Sequence, residues 1–128
     1  MGFNKQIIGK KARIDGYKAE YLAALFLRLK GYKILQRNFK PPRGTGAGEI
    51  DIIALKHNVI IFIEVKKRNS RDSAAEAINE HVQSRRIKGA EYFLMTHPEL
   101  ADKEMRFDAI LISPNRFPEH IRNAFMCS

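Results

Sequence analysis

Asp51, Glu64 and Lys66 stand in two neighbouring apolar segments, Gly48-Glu49-Ile50-Asp51-Ile52-Ile53-Ala54-Leu55 and Val59-Ile60-Ile61-Phe62-Ile63-Glu64-Val65-Lys66. Two carboxylates are the residue types that hold a hard divalent cation, and here an ammonium stands beside them. Both segments read as strands, rich in Ile and Val and separated by the polar Lys56-His57-Asn58. Side chains alternate along a strand. Ile50, Ile52 and Ala54 therefore share one face, and Glu49, Asp51, Ile53 and Leu55 the other. In the second segment Ile61, Ile63 and Val65 share a face, and Ile60, Phe62, Glu64 and Lys66 the other. A two-residue loop at His57 and Asn58 sets Asp51 opposite Glu64, Glu49 opposite Lys66 and Ile53 opposite Phe62. It also pairs Ile50 with Val65, Ile52 with Ile63 and Ala54 with Ile61. Like charges directly across a ladder are destabilising, and burial would force one of them to take up a proton. A one-residue slip would carry an acid onto the apolar face. A Mg²⁺ or Mn²⁺ ion shared by Asp51 and Glu64, with Lys66 beside it, resolves the conflict. A plain ion-pair cluster at a strand edge is the competing reading. The apolar residues on both faces favour central strands instead.

Other residues extend this constellation. Glu20 projects between Ala24 and Leu27 on an apolar helix. It either pairs with a nearby lysine or holds the metal, or a metal-bound water, from the opposite layer. Glu49 shares a face with Asp51 and is expected to support Lys66. Basic residues fall in three groups: Lys66, Lys67, Arg68 and Arg71; Arg85, Arg86 and Lys88; Arg37, Lys40 and Arg43. All three flank the acids in sequence, which suits contacts to phosphate backbones. Gln83 lies on the same side of its helix as Arg86, facing either the site or water. The Gly-rich stretch 44–48 precedes a strand rather than a helix, so it is not a nucleotide cradle; a loop that admits DNA is the better reading. His57, His81, His97 and His120 lack zinc-ligand spacing, and no serine or cysteine nucleophile arrangement is visible.

These residues belong to one domain spanning residues 1–128. With 23 Lys and Arg against 14 Asp and Glu, the formal net charge is +9, which points to a polyanionic partner, nucleic acid before an anionic membrane surface. The single cysteine, Cys127, allows no disulfide within the chain, in keeping with the cytosol. Residues 1–6 do not read as a signal peptide, and no apolar run approaches transmembrane length.

The elements that must position the site follow from periodicity. A first helix is expected from about Lys11 to Lys30, stopped by Gly31, with the stretch 21–27 apolar nearly all round and therefore heavily buried. Tyr32 to Phe39 reads as the first strand, followed by a loop and the hairpin. A second helix starts near Ser73, where Ser73-Ala74-Ala75-Glu76 has capping-box spacing, and ends before Pro98. Its stripe is Ala75, Ile78, Val82, Arg86, Gly89 and Phe93, slightly weakened by Gly89. Arg106 to Ile112 is the last clear strand, and His120 to Phe125 a short further segment. The order α-β-β-β-α-β predicts an α/β sandwich, a central mixed sheet flanked by helices.

Glu20, then Gly48-Glu49-Ile50-Asp51, then Ile63-Glu64-Val65-Lys66, resembles the PD-(D/E)XK nuclease superfamily, whose core is an acid followed by Glu-x-Lys. More closely, the chain resembles the UPF0102 (YraN-like) family of small bacterial proteins. Arg37-Asn38, Phe62 to Lys66, Arg85-Arg86, Arg106-Phe107-Asp108 and the segment 121–125 carry that likeness from Gly16 to Phe125. Archaeal Holliday-junction resolvases are similar around the same strands. The resemblance implies a restriction-endonuclease-like fold, with Asp51 and Glu64 as metal ligands, Lys66 as the catalytic lysine and Glu20 as the acid of the first helix. Lys67 stands where a threonine is common, and Gln83-Ser84 where Lys-Gln is usual. The expected function is Mg²⁺- or Mn²⁺-dependent cleavage of DNA, by analogy branched or recombination and repair DNA, with Lys67, Arg68, Arg85, Arg86 and Arg43 on the backbone. A junction-resolving enzyme would act as a symmetric homodimer. The alternative is a nucleic-acid-binding protein that retains the fold without cleaving. A third reading makes the acids a structural ion-pair cluster.

Overall fold

The computed structural model describes residues 18–67 and 80–125. A helix over residues 18–29, α1, leads into β1 (Lys33–Phe39), β2 (Ile50–Lys56) and β3 (Val59–Lys67), paired antiparallel in turn. Helix α2 (Glu80–Met95) and a 3-10 turn (Pro98–Leu100) carry the chain to β4 (Glu104–Ile112), parallel to β3. Strand β5 (Glu119–Phe125) closes the order β1-β2-β3-β4-β5, antiparallel to β4. One apolar cluster joins α1 to one sheet face, and a second joins α2 to the other. The expected mixed α/β sandwich is therefore present, with β5 as an added edge strand. The expected start of α1 near Lys11, the capping box at Ser73 and Arg68 lie outside the described residues.

Local chemistry accounts for the element ends. Gly31 takes φ +90°, its N–H bonds to Arg28 O at 3.0 Å, and Tyr32 N–H bonds to Leu27 O at 2.9 Å. That pair of bonds is a Schellman cap, which needs a left-handed residue that glycine adopts without steric cost. The β2–β3 hairpin closes at Lys56–Val59 around His57 and Asn58, with His57 at φ 54°, as the two-residue loop requires. On α1, Ala19, Ala23, Ala24 and Leu27 are buried, but Tyr21, Leu22, Leu25 and Leu29 are exposed. The expected all-round burial is thus corrected: the sheet covers one side of α1. Leu22, Leu25 and Leu29 border a groove of about 890 Å³ shared with Ile112 and Phe117.

Helix α2 sits on the sheet through Ala90 and Phe93, which pack among Phe39, Ile53, Phe62 and Phe107. The Phe93 ring meets Phe39 and Phe62 edge-on, at centroid distances of 5.3 and 6.2 Å, a favoured aromatic geometry. Its height above the sheet is set by two glycines. Gly48 N–H donates to Arg85 O at 2.7 Å, and a Cβ on Gly89 would fall 2.4 Å from Gly48 O. The end of the Gly-rich loop is thus pinned to α2, and Gly89 is where the helix admits that close approach.

At the other edge, Asp108 is completely buried on β4. Arg106 donates to both of its oxygens at 2.8 and 2.9 Å, His120 Nε2–H at 2.7 Å, and Asn123 N–H at 3.1 Å. Lys30 Nζ reaches His120 Nδ1 at 2.7 Å, and Arg106 also donates to the Tyr32 hydroxyl at 3.0 Å. The β4–β5 register shifts between Phe107 and Ala109, and Asp108 takes the N–H of Asn123, a residue of the bulged strand at φ 51°. Burial opposes the Asp108 charge, but the bonds from His120, Arg106 and Asn123 outweigh it and hold the carboxyl below its usual range.

Two expectations follow. Gly89→Ala should destabilise the fold by about 1–3 kcal/mol through overpacking, rather than add the roughly 1 kcal/mol that alanine gains over glycine in an unobstructed helix. The urea midpoint at constant m reads the sign. Asp108→Ala should cost about 3–5 kcal/mol, because its buried partners lose their counter-charge. Since the folded Asp108 pKa is lowered, its contribution is present above the ordinary carboxylate value and lost as pH falls through the folded one. Urea melts at falling pH should therefore show the gap between wild type and variant narrowing in acid.

Candidate functional site

The β2–β3 pairs run from Lys56–Val59 to Ile52–Ile63, the register expected from the two-residue loop. Beyond Ile52–Ile63 the ladder stops, one step before Asp51 and Glu64. There Asp51 Oδ2 accepts the Val65 N–H at 2.8 Å, so a side chain takes a backbone donor of β3. Face alternation breaks at the same level. Ile52 and Ala54 pack with the α1-side cluster, whereas Ile50 packs with Ile53 on the α2 side. Ile50 therefore does not share a face with Ile52, as simple alternation predicts. The opposing strand turns too: Asn38, between the pairs Arg37–Ile52 and Phe39–Ile50, has φ 54°. Asparagine tolerates that left-handed conformation better than most residues.

Glu64 lies on the central strand β3, level with Ala109 of β4, and is 3% exposed. Arg86 of α2 donates through Nη1 to its Oε2. Lys66 Nζ lies 3.4 Å from Oε1, an ion-pair distance, yet Oε1 accepts no hydrogen bond. The Lys66 side chain is 43% exposed, so its ammonium sits at the mouth of the site. Lys66 pairs with Glu64 in this arrangement, while Glu49 is exposed and acts on Asp51 through its charge.

Glu20 comes from the other layer. With its nitrogen turned to the carboxylate, the Asn38 amide donates to both Glu20 oxygens at 2.8 and 3.0 Å. Burial pushes the Glu20 carboxyl above its ordinary range, and the Asp51 charge adds to this, while Asn38 and Arg37 pull it back. Asp51 is also raised, first by burial; the Val65 N–H, Arg86 and Lys66 oppose that, and Glu49 reinforces it. Asp51 thus stands between layers, beside Glu20 on the α1 side and within the field of Arg86 on the α2 side.

Among the described residues no three of His, Cys, Asp and Glu converge as a metal-holding group. The donors at hand are the hard carboxylates of Asp51 and Glu64, one oxygen of which lacks a hydrogen bond. Of the residues assigned to nucleic acid, Arg43, Lys67 and Arg85 are exposed, whereas the Arg86 guanidinium is turned inward onto Glu64. Sequence reasoning missed this use of Arg86, although its place on the buried stripe with Gly89 and Phe93 was the signal. It named Asn38 only within the family likeness and gave it no part at Glu20, since nothing in residue spacing marks its left-handed turn. No described helix is long and apolar enough to cross a membrane.

Asp51→Asn removes a charge that burial disfavours, and an amide oxygen can still accept the Val65 N–H. A raised folded pKa means the penalty is absent below the unfolded value and complete once pH passes the folded one. In EDTA, Asp51→Asn should therefore melt higher than wild type at about pH 7, with the difference closing in acid. Thermal melts across that range check it, and a lower melting point at neutral pH would contradict it.

Comparison with known proteins places this chain in a family. Residues 19–112 match the family described as "Uncharacterised protein family UPF0102". A UPF0102 protein of Rhodopseudomonas palustris (strain BisA53) is 49% identical over 113 residues, covering 88% of this chain and 84% of the relative. One from Bradyrhizobium sp. (strain BTAi1 / ATCC BAA-1182) is also 49% identical over 113 residues, covering 88% and 80%. One from Paramagnetospirillum magneticum is 46% identical over 114 residues, covering 89% and 88%. The matched span runs from α1 through β4 and includes Glu20, Asp51, Glu64, Lys66 and Arg86, and the chain belongs to the UPF0102 family.

Proposed function

We propose that the protein is a Mg²⁺- or Mn²⁺-dependent nuclease that hydrolyses phosphodiester bonds in DNA, working through Asp51, Glu64, Lys66 and Glu20. The observation that carries this reading is Glu64: a carboxylate 3% exposed on the central strand, with one oxygen accepting no hydrogen bond. A buried acid left short of donors has room for a positive ligand. Asp51 and Glu64 fit Mg²⁺, which is commonly held by one or two carboxylates with water completing its shell. When bound, such an ion polarises the phosphoryl oxygen and makes hydroxide available near neutral pH.

The protein's own groups would do the rest. Lys66, at the mouth beside Glu64, would orient the attacking water and neutralise charge on the phosphorane-like transition state. Glu20, oriented by Asn38, would add an oxygen from the α1 side. Arg43, Lys67 and Arg85 would contact phosphates, so affinity should fall with salt. The resemblance to PD-(D/E)XK enzymes supports the chemistry, and that to junction resolvases supports branched DNA in the cytosol and a symmetric homodimer, by analogy alone. The competing reading, a non-catalytic nucleic-acid-binding protein, draws on the ion pair by which Arg86 already occupies Glu64.

A cleavage assay on linear, flapped and four-way-junction DNA separates the two. Asp51→Asn and Glu64→Gln should each lower the metal-dependent rate at least ~100-fold, with DNA binding retained. DNA bound by the wild type but never cut, with either metal, would leave the binding protein as the reading.

A further inference from the structure

This inference rests on the nuclease reading and concerns Arg86, to which that reading gives no part. Arg86 and Glu64 form an ion pair in the interior, with the Arg86 side chain 18% exposed and that of Glu64 2%. One oxygen of the carboxylate that a cation would need, Oε2, is therefore already paired, and a dication on Oε1 would bring its own charge against the guanidinium at short range. The helix carrying Arg86 cannot back away easily. Its neighbour Arg85 is held by Gly48 N–H at 2.7 Å, and Gly89 abuts Gly48 O. The guanidinium, displaced from Glu64, therefore stays at the site and needs another anion.

A guanidinium is a planar fork that matches carboxylate and phosphate oxygens alike. Lys66 cannot serve in the same way, since its ammonium is a point charge and its side chain is 43% exposed. We propose that Arg86 couples cation binding to nucleic-acid binding: it holds Glu64 against free cations until a backbone phosphate takes the guanidinium. Each ligand then promotes the other, as linkage requires. The site is thereby guarded against loading without substrate.

The test measures Mn²⁺ affinity by electron paramagnetic resonance on the full chain, with and without a short phosphorothioate duplex, which resists hydrolysis. For wild type, DNA should tighten Mn²⁺ binding roughly tenfold. Arg86→Ala should bind Mn²⁺ roughly tenfold more tightly without DNA and gain less than about twofold from it. Should the alanine protein not fold, Arg86→Lys decides the matter: it keeps the charge without the fork, so Mn²⁺ affinity stays near wild type while the response to DNA falls. Equal Mn²⁺ affinity and equal response to DNA in wild type and variant would overturn the role of Arg86 and leave the nuclease reading standing. No Mn²⁺ binding by wild type, with or without DNA, would remove that reading and this inference together.

Discussion

A carboxylate buried on a central strand must be compensated by positive charge or hydrogen bonds, and Glu64 is 3% exposed. Much of the architecture around it follows from that demand. Its partner on β4 is Ala109, and beyond Ile52–Ile63 β2 offers it no pairing, so compensation comes from above the sheet and from the strand's open end. Arg86 supplies it from α2, and Lys66 from two residues along β3. Arg86 reaches Glu64 because α2 sits close, and α2 sits close because Gly89 leaves room for the Gly48 carbonyl. A contact between two residues without side chains thus sets the electrostatics of an acid on another strand.

The protein contains a second buried acid, and the contrast between them is informative. Asp108 accepts four hydrogen bonds, from Arg106, His120 and the Asn123 N–H, and its carboxyl is held low. Through His120 and Asn123 that network holds β5 to β4, and through Lys30 and Tyr32 it ties in the end of α1. Glu64 accepts one hydrogen bond and keeps an oxygen without any. A protein that can satisfy a buried carboxylate fully at one strand leaves another incompletely satisfied one step beyond the end of the β2–β3 ladder. Unsatisfied buried groups in native structures tend to have a functional reason, and this asymmetry is what separates a structural acid from a candidate working one.

The place where the sheet opens matters as much as the acids themselves. Beyond Ile52–Ile63 the β2–β3 pairing ends, Asp51 bonds to Val65 N–H, and Asn38 at φ 54° turns the outer strand at the same level. Ile50 and Ile52 consequently face opposite layers. That turn lets Asp51 meet Glu20 from α1 while it remains near the charges of Arg86 and Lys66 from the other side. A regular strand would have committed Asp51 to one face and one helix.

The hairpin register up to Ile52–Ile63 and the mixed sandwich were legible because they rest on local rules: strand alternation, a two-residue loop and apolar runs of fixed length. Gly31 as a cap was legible for the same reason. The burial of α1 was overestimated, because an apolar helix does not say how many sides the sheet will cover. The segment His120 to Phe125 stood out without reading as a strand, because the pairing of β5 is broken by a bulge whose stabilising acid, Asp108, lies on another strand. The role of Gly89 was read as a weak helix position, since the carbonyl that needs its empty space is 41 residues earlier in the chain. The sequence by itself therefore determined which residues face which layer along regular elements, as far as the level where the β2–β3 ladder stops. Only the tertiary structure decided that Arg86 turns inward to Glu64, that Asn38 holds Glu20, and that Asp51 sits between two layers. Those outcomes depend on the distance between packed elements and on a break in regular geometry, and neither is encoded in residue spacing.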